Sequence, residues 1–222
     1  TLRTIEQRQL IGVLANKNVL PKYGFPVDTV DLRTLHSTDP VGRRLELSRD
    51  LSQAIFDYAP GNQVVAGGKV WTSRGIYRVP SKDLEQYDYR VCRYCERFEC
   101  ARTLDASEVC STCDEPFLSI RRFVVPEYGF VADEKTQDVG TTPPERKWSG
   151  ASYVEDIGES GDPHFWNAGG GIDVEVTAGT RATLAVISEG DGGGFNICSW
   201  CGWAAPKSGF GRSKESHKRP LT

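Results

Sequence analysis

The sequence contains no methionine and no long apolar stretch. Because its 222 residues begin without an initiator methionine, we expect the chain to be an excised part of a longer polypeptide. The longest apolar run, residues 10–15, is much shorter than the ~20 residues that cross a bilayer. Glu6 and Gln7 stand where a signal peptide would need apolar residues. We therefore expect no signal peptide, no membrane contact and a cytoplasmic location.

The sequence also lacks the short motifs that mark common catalytic sites. The segment from Gly202 to Ser208 comes nearest to a phosphate-binding loop, but it lacks the second glycine. Neither the nucleophile elbow of hydrolases nor the His-Glu-x-x-His motif of metalloproteases occurs. This segment alone is therefore not expected to hydrolyse ATP or to transfer acyl groups.

Charge and composition describe a folded chain without an overall electrostatic preference. The net charge is −3, which gives no general attraction to nucleic acid. Hydrophobic residues make up 38% of the chain and charged residues 26%. This composition and length allow one large or two small hydrophobic cores.

Cysteine is the most informative residue, because six of the seven cysteines form three Cys-x-x-Cys pairs. Fourteen residues separate the first two pairs, which is zinc-ribbon spacing. These four thiolates would close a structural zinc site and leave no open position for a substrate. The predicted ligands are Cys92, Cys95, Cys110 and Cys113. The seventh cysteine, Cys100, could replace a ligand, but its spacing fits a small buried apolar residue better.

The third pair, Cys198 and Cys201, lacks a later cysteine but is followed by His217. We interpret these three as a second zinc site whose fourth ligand lies beyond the end of the sequence. His164 competes with His217 as the third ligand, whereas His36 fits a loop. An alternative interpretation is a catalytic zinc with three protein ligands and an open position.

Sequence patterns predict an α+β, strand-rich fold of two small lobes with zinc-ribbon-like knuckles. The first lobe, 1–85, would hold a helix at 5–17, a strand at 27–32, and a second helix capped by Ser48. A hairpin would turn at Gly67 and Gly68, and 76–79 could add a strand. The second lobe, 86–222, would bind zinc and be truncated at its C-terminus.

Within that lobe, the segment 126–170 holds most of the remaining loop signals, including 141–144 and 169–171. Two further strands are predicted at 172–176 and 182–187.

The last stretch of the chain is basic and lies close to aromatic residues. Phosphate neutralisation together with stacking faces suits single-stranded nucleic acid. The alternative is that the aromatic side chains pack around the metal. The predicted nucleic-acid-binding residues are Lys207, Arg212, Lys214, Lys218 and Arg219.

Four stretches in order carry a resemblance to a known family. They are 18–32, 49–61, the motif from Tyr89 to Cys95, and 190–202 followed by 217–220. Together they resemble the region C-terminal to the motor of bacterial superfamily-two DEAD/DEAH-box DNA helicases of the MrfA type. Similar C-terminal regions occur in large proteins of phage-defence systems such as Druantia and DISARM.

The resemblance implies an ATP-dependent translocase whose ATP- and magnesium-binding motor lies upstream of this chain. It also implies a final zinc site of a Cys-x-x-Cys pair, a histidine and a further cysteine. Cys198, Cys201 and His217 match the first three of these ligands. The expected cofactor is one or two zinc ions per chain, and the expected partners are DNA, the upstream motor and other defence or repair subunits. The rival hypothesis is a zinc-ribbon module that binds proteins.

Overall fold

The computed structural model describes residues 28–79, 82–105, 109–144, 146, 149–156, 158–177, 179–180 and 182–207. The helix predicted at 5–17 lies outside these residues. The described part of the chain is strand-rich, with short helices and several small sheets, which confirms the predicted α+β class.

The strands, in chain order, are β1 Thr29–Arg33, β2 Ser48–Asp50, β3 Gln63–Ala66, β4 Lys69–Ile76, β5 Gln86–Val91, β6 Phe98–Ala101, β7 Arg121–Val124, β8 Phe130–Ala132, β9 Gln137–Asp138, β10 Ser149–Asp156, β11 Glu159–Ser160, β12 His164–Asn167, β13 Asp173–Val176, β14 Gly179–Thr180, β15 Thr183–Gly190, β16 Phe195–Ile197 and β17 Ala204–Pro206. The helices are a 3-10 helix at Pro40–Arg44 and α1 at Leu51–Asp57.

The chain forms two compact units that alternate along the sequence. Among the described residues, the first unit takes in 28–84, Val125–Gly150 and 188–207, and the second takes in Glu85–Val124 and Ala151–Ile187. The sequence predicts two lobes of one continuous segment each, 1–85 and 86–222, whereas each unit of the structure combines separate segments of the chain.

The first unit is built on a six-stranded sheet. Its order is β2-β1-β8-β4-β3, with β9 also paired to β4. The pair β1–β8 is parallel and the other pairs are antiparallel. Alternate residues of β1 are buried, as expected for a strand with one face on a core. At the centre of that core Trp71 is fully buried, and its indole N–H donates to the carbonyl of Ala66 at 3.0 Å.

The hairpin predicted at Gly67 and Gly68 is confirmed. Ala66 pairs with Lys69, and the two glycines have φ of 57° and 73°, a region that favours glycine. The strand predicted near 27–32 is also confirmed, as β1. The strand predicted at 76–79 is wrong beyond Ile76, because the ladder with β8 ends at the pair Ile76–Phe130.

The second helix begins two residues later than predicted. Ser48 lies in β2, because that strand stays paired with β1 through Asp50. The side chain of Asp50 caps the helix by accepting from the backbone N–H of Ser52 at 2.9 Å. Five strands, β8 to β12, also lie within 126–170, where the sequence holds many loop signals.

The second unit contains the sheet β6-β5-β7, which is antiparallel throughout. Aromatic side chains pack in sequence on this unit: Phe123 against Tyr89, Tyr89 against Phe98, and Phe98 against Tyr153, with ring centroids 5.4–5.8 Å apart. The strands predicted at 172–176 and 182–187 are present as β13 and β15.

No helix among the described residues combines the length and apolar character needed to span a bilayer.

Candidate metal centre

The first Cys-x-x-Cys pair forms a tight turn directly after β5. The N–H of Cys92 donates to the carbonyl of Arg97 at 2.9 Å, and the N–H of Glu96 donates back to the carbonyl of Cys92 at 2.9 Å. Glu96 has φ of 58°, which reverses the chain after Cys95. The turn therefore holds both thiols on the same side of a short closed loop.

The second pair repeats this geometry residue by residue. The backbone N–H of Cys110 donates to the carbonyl of Glu115 at 2.9 Å, and the backbone N–H of Asp114 donates to the carbonyl of Cys110 at 3.0 Å. Asp114 has φ of 58°, the same as its counterpart in the first turn. We call these two turns the first and second knuckles.

The two knuckles bring four thiols together. All four Sγ atoms lie within 4.8 Å of one another, and the pairs Cys92–Cys113 and Cys95–Cys110 are each 3.5 Å apart. Zinc–sulfur bonds of about 2.3 Å in a tetrahedron place neighbouring sulfurs ~3.8 Å apart. The geometry and the all-thiolate chemistry therefore fit zinc, and Cys92, Cys95, Cys110 and Cys113 would hold it in a closed shell.

The four thiols differ in acidity. A backbone hydrogen bond from Cys95 is the main cause that lowers the pKa of Cys92 to about 7. Burial raises the pKa of Cys110, but hydrogen bonds from two backbone N–H groups and from neighbouring thiols together outweigh burial, so its pKa is lowered. The backbone N–H of Glu115 lowers the pKa of Cys113, but burial and the neighbouring thiols together raise it to about 12. A divalent cation would stabilise all four thiolates and displace the remaining protons.

A buried arginine links the sheet of the second unit to the second knuckle. Arg90 pairs across the strands with Glu99, and its Nη2 lies 2.6 Å from that carboxylate. Its guanidinium also donates to the carbonyl of Asp105 at 2.9 Å and lies 4.1 Å from the ring centroid of Phe117. The other carboxylate oxygen of Glu99 accepts from the hydroxyl of Ser111, inside the second knuckle, at 2.8 Å.

This link was not predicted, because the opposite charges of Arg90 and Glu99 become informative only once their strands are known to pair. Charged groups that bind the backbone or side chains of a metal turn hold its ligands in place. Glu99 and Arg90 are therefore positioning residues for the second knuckle.

The third Cys-x-x-Cys pair has the same pattern of backbone hydrogen bonds as the two knuckles. The backbone N–H of Cys198 donates to the carbonyl of Trp203 at 2.8 Å, and the backbone N–H of Gly202 donates to the carbonyl of Cys198 at 2.8 Å. Gly202 takes the left-handed position with φ of 78°. We call this turn the third knuckle, and it belongs to the first unit.

The third knuckle packs directly on β4. The N–H of Ile76 donates to the carbonyl of Gly202 at 2.9 Å, and Gly75 forms an isolated bridge with Trp203. A Cβ on Gly75 would lie 2.3 Å from the carbonyl oxygen of Gly202, so only glycine allows this approach.

Among the described residues, the cysteines of the first two knuckles form the one group of three or more potential ligands, and the third knuckle is outside it. His217, its predicted third ligand, lies outside the described residues. The competitor His164 lies on an exposed strand, and the ring of His36 is hydrogen-bonded to the carbonyl of Ala132 at 2.7 Å.

Cys100 is outside the metal group. Its thiol donates to the carboxylate of Glu155 at 2.9 Å. Burial, followed by this carboxylate, raises the pKa of Cys100 to about 11. It is only partly buried, so the expectation of a small buried residue is met in part.

Of the predicted basic residues, Lys207 is described and is exposed, with its N–H donating to the carbonyl of Gly194 at 2.9 Å. The others lie outside the described residues: Arg212, Lys214, Lys218 and Arg219. Near Lys207, Trp203 is half-buried at the third knuckle, whereas Trp200 is 57% exposed. The two tryptophans therefore differ, and Trp200 alone presents a broad ring face to solvent.

The fold and this centre describe a strand-rich α+β chain with a four-cysteine site that could bind a metal. The chain is similar to the Druantia protein DruE of Escherichia coli (strain UMEA 4076-1), with 22% identity over 238 aligned positions. The alignment covers 96% of this chain and 13% of DruE, so the chain spans a small part of that curated relative. No protein-family model matches the chain, and no solved structure matches it.

Proposed function

We propose that the chain is a non-catalytic, zinc-binding C-terminal region of an ATP-dependent DNA helicase or translocase. It would act in anti-phage defence or DNA repair in the bacterial cytoplasm. The observation that carries the proposal is the closed group of four thiols, within 4.8 Å of one another, in a chain that aligns with DruE over 96% of its length. The resemblance to the C-terminal regions of MrfA-type helicases supplies the helicase context.

The zinc has a structural task in this proposal. Four thiolates complete a tetrahedral shell and leave no position for water or substrate. The metal holds β5, β6 and the loop that carries Cys110 in one arrangement. In this role the zinc site makes the region rigid, and the upstream motor supplies ATP, magnesium and the chemistry.

The basic C-terminal stretch is the proposed DNA contact. Lys207 follows directly after β17, and Arg212 and Lys214 follow within seven residues. The exposed side chain of Trp200 is the proposed stacking face. A second zinc ion on Cys198, Cys201 and His217 would fix this stretch, with a fourth ligand beyond Thr222.

The test is binding of a labelled 20-nucleotide thymidine strand between 50 and 200 mM salt. The variant Lys207→Glu/Arg212→Glu/Lys214→Glu should bind more weakly and lower the slope of log K against log salt by about 2. Each phosphate contact with a single strand contributes about 0.7 to that slope. The matched control reverses three exposed cations elsewhere on the first unit: Arg43, Arg44 and Lys135.

Equal weakening by the control would mean that only net charge matters. The absence of DNA binding by the unaltered chain would contradict the DNA role and favour a protein-interaction module instead. Elemental analysis of the same samples would count zinc per chain and would separate a metal defect from a DNA-binding defect.

A further inference from the structure

Part of the second unit forms strand pairs nested around a single turn. β10 pairs with β15, β11 with β14, and β12 with β13. The innermost pair closes at a turn in which Ala168 donates to the carbonyl of Ile172 at 2.9 Å. We call β12, β13 and this turn, residues 164–176, the distal hairpin.

The distal hairpin has two chemically different faces. Paired residues of an antiparallel ladder share a face, and faces alternate along each strand. Trp166 pairs with Val174, and His164 pairs with Val176, which makes one face largely apolar. The opposite face carries Phe165 beside Glu175, and Asn167 bonded to Asp173 at 2.6 Å.

Neither face is covered by the described part of the chain. Trp166 is 66% exposed, Phe165 73% and Val176 52%. Within the described residues, β12 and β13 form a sheet of two strands only. A two-stranded hairpin is at best marginally stable in water, and a cluster of exposed large apolar side chains marks an interaction surface.

The charge of this region indicates what it contacts. Between 148 and 180 the sequence has no lysine or arginine. It has six carboxylates there: Glu155, Asp156, Glu159, Asp162, Asp173 and Glu175. Such a surface repels phosphate and attracts cationic groups.

We infer that the distal hairpin is a docking element for a protein surface that has an apolar groove bordered by lysine or arginine. Trp166, Val174 and Val176 would enter the groove, and Asp173 and Glu175 on the opposite face would attract the basic border. This contact is separate from the proposed DNA contact near Lys207.

The probe is an amphipathic 18-residue peptide of leucine and lysine, with a leucine–glutamate peptide of the same pattern as its counterpart. The chain should bind the lysine peptide and ignore the glutamate peptide. Trp166→Ala/Val176→Ala should weaken binding about tenfold or more, because buried tryptophans dominate interface energies. Asp173→Asn/Glu175→Gln should weaken binding chiefly at low salt.

Matched controls alter equally exposed residues elsewhere. Leu35→Ala/Leu118→Ala removes apolar side chains that are 66% and 70% exposed, and Asp83→Asn/Glu127→Gln removes two exposed carboxylates. Both controls should bind the lysine peptide as the unaltered chain does. If a control weakens binding as much as the hairpin variant, or if the hairpin variant binds normally, the inference is overturned.

A second readout separates this inference from the DNA proposal. The hairpin variants should bind the thymidine strand as the unaltered chain does and should retain their zinc. Loss of thymidine-strand binding in Trp166→Ala/Val176→Ala would show that the hairpin contacts nucleic acid and would overturn the protein-docking assignment.

Discussion

Removing one ligand of the four-thiol centre should strongly destabilise the second unit. The perturbation is Cys110→Ser, with Cys100→Ser as the matched control. Cys110 is fully buried within the metal group, whereas Cys100 is half-buried outside it and bonded to Glu155. The two variants therefore exchange the same atoms, and only one exchange alters the proposed zinc shell.

The expected size of the effect follows from what the metal contributes. Structural zinc contributes about 10–16 kcal/mol to folding in zinc-finger peptides. Whole domains are stable by only about 5–15 kcal/mol. The second unit has a small core in which the rings of Tyr89, Phe98 and Tyr153 stack in sequence. A core of this size cannot replace a contribution as large as that of zinc.

The assay combines elemental analysis with thermal unfolding followed by near-ultraviolet circular dichroism. Cys110→Ser should carry one zinc ion fewer than the unaltered chain, and its aromatic signal should melt at least about 10 °C lower, since ~1 kcal/mol already moves a small domain by 4–8 °C. Cys100→Ser should keep its zinc and its melting temperature. Equal zinc content in all three proteins would refute the assignment of the centre.

Three further predictions concern single side chains. Gly75→Ala should lower the free energy of unfolding, measured by urea titration, by about 1–3 kcal/mol, because the added Cβ would overlap a backbone carbonyl of the third knuckle. The control Gly140→Ala should change the free energy of unfolding little in the same titration. Iodoacetamide should alkylate Cys100 slowly at pH 7.5, because the pKa of this thiol is about 11. Glu155→Gln should speed alkylation, because removing the carboxylate lowers that pKa. An unchanged alkylation rate would contradict the contact between Cys100 and Glu155. Trp71→Ala should destabilise the first unit by about 3–5 kcal/mol in the same titration, and a loss below ~1 kcal/mol would contradict its place in the core.

Local chemistry made several elements predictable from sequence. The Cys-x-x-Cys spacing predicted the four ligands that the structure brings together, and Gly67-Gly68 predicted the hairpin. Ser48 and Asp50 are both residues that can cap a helix, and only the pairing of β2 with β1 decides in favour of Asp50.

Other features depend on contacts between distant parts of the chain. β12 was missed because its residues are exposed on both faces, which leaves no alternation of apolar and polar residues to detect. The bond between Glu99 and Ser111 joins a strand to a turn twelve residues away, so no local pattern encodes it.

Each knuckle closes its own backbone hydrogen bonds within six consecutive residues, so the length of the segment that joins the two halves of the metal centre can change without altering either turn. The entropy of closing that segment grows only with the logarithm of its length, and doubling it costs about 0.6 kcal/mol. This is small beside the ~10 kcal/mol that zinc supplies. We therefore expect zinc still to be bound when residues are inserted between Asp105 and Val109, for instance to carry a new recognition loop, because the contacts of Leu104 and Asp105 are then kept.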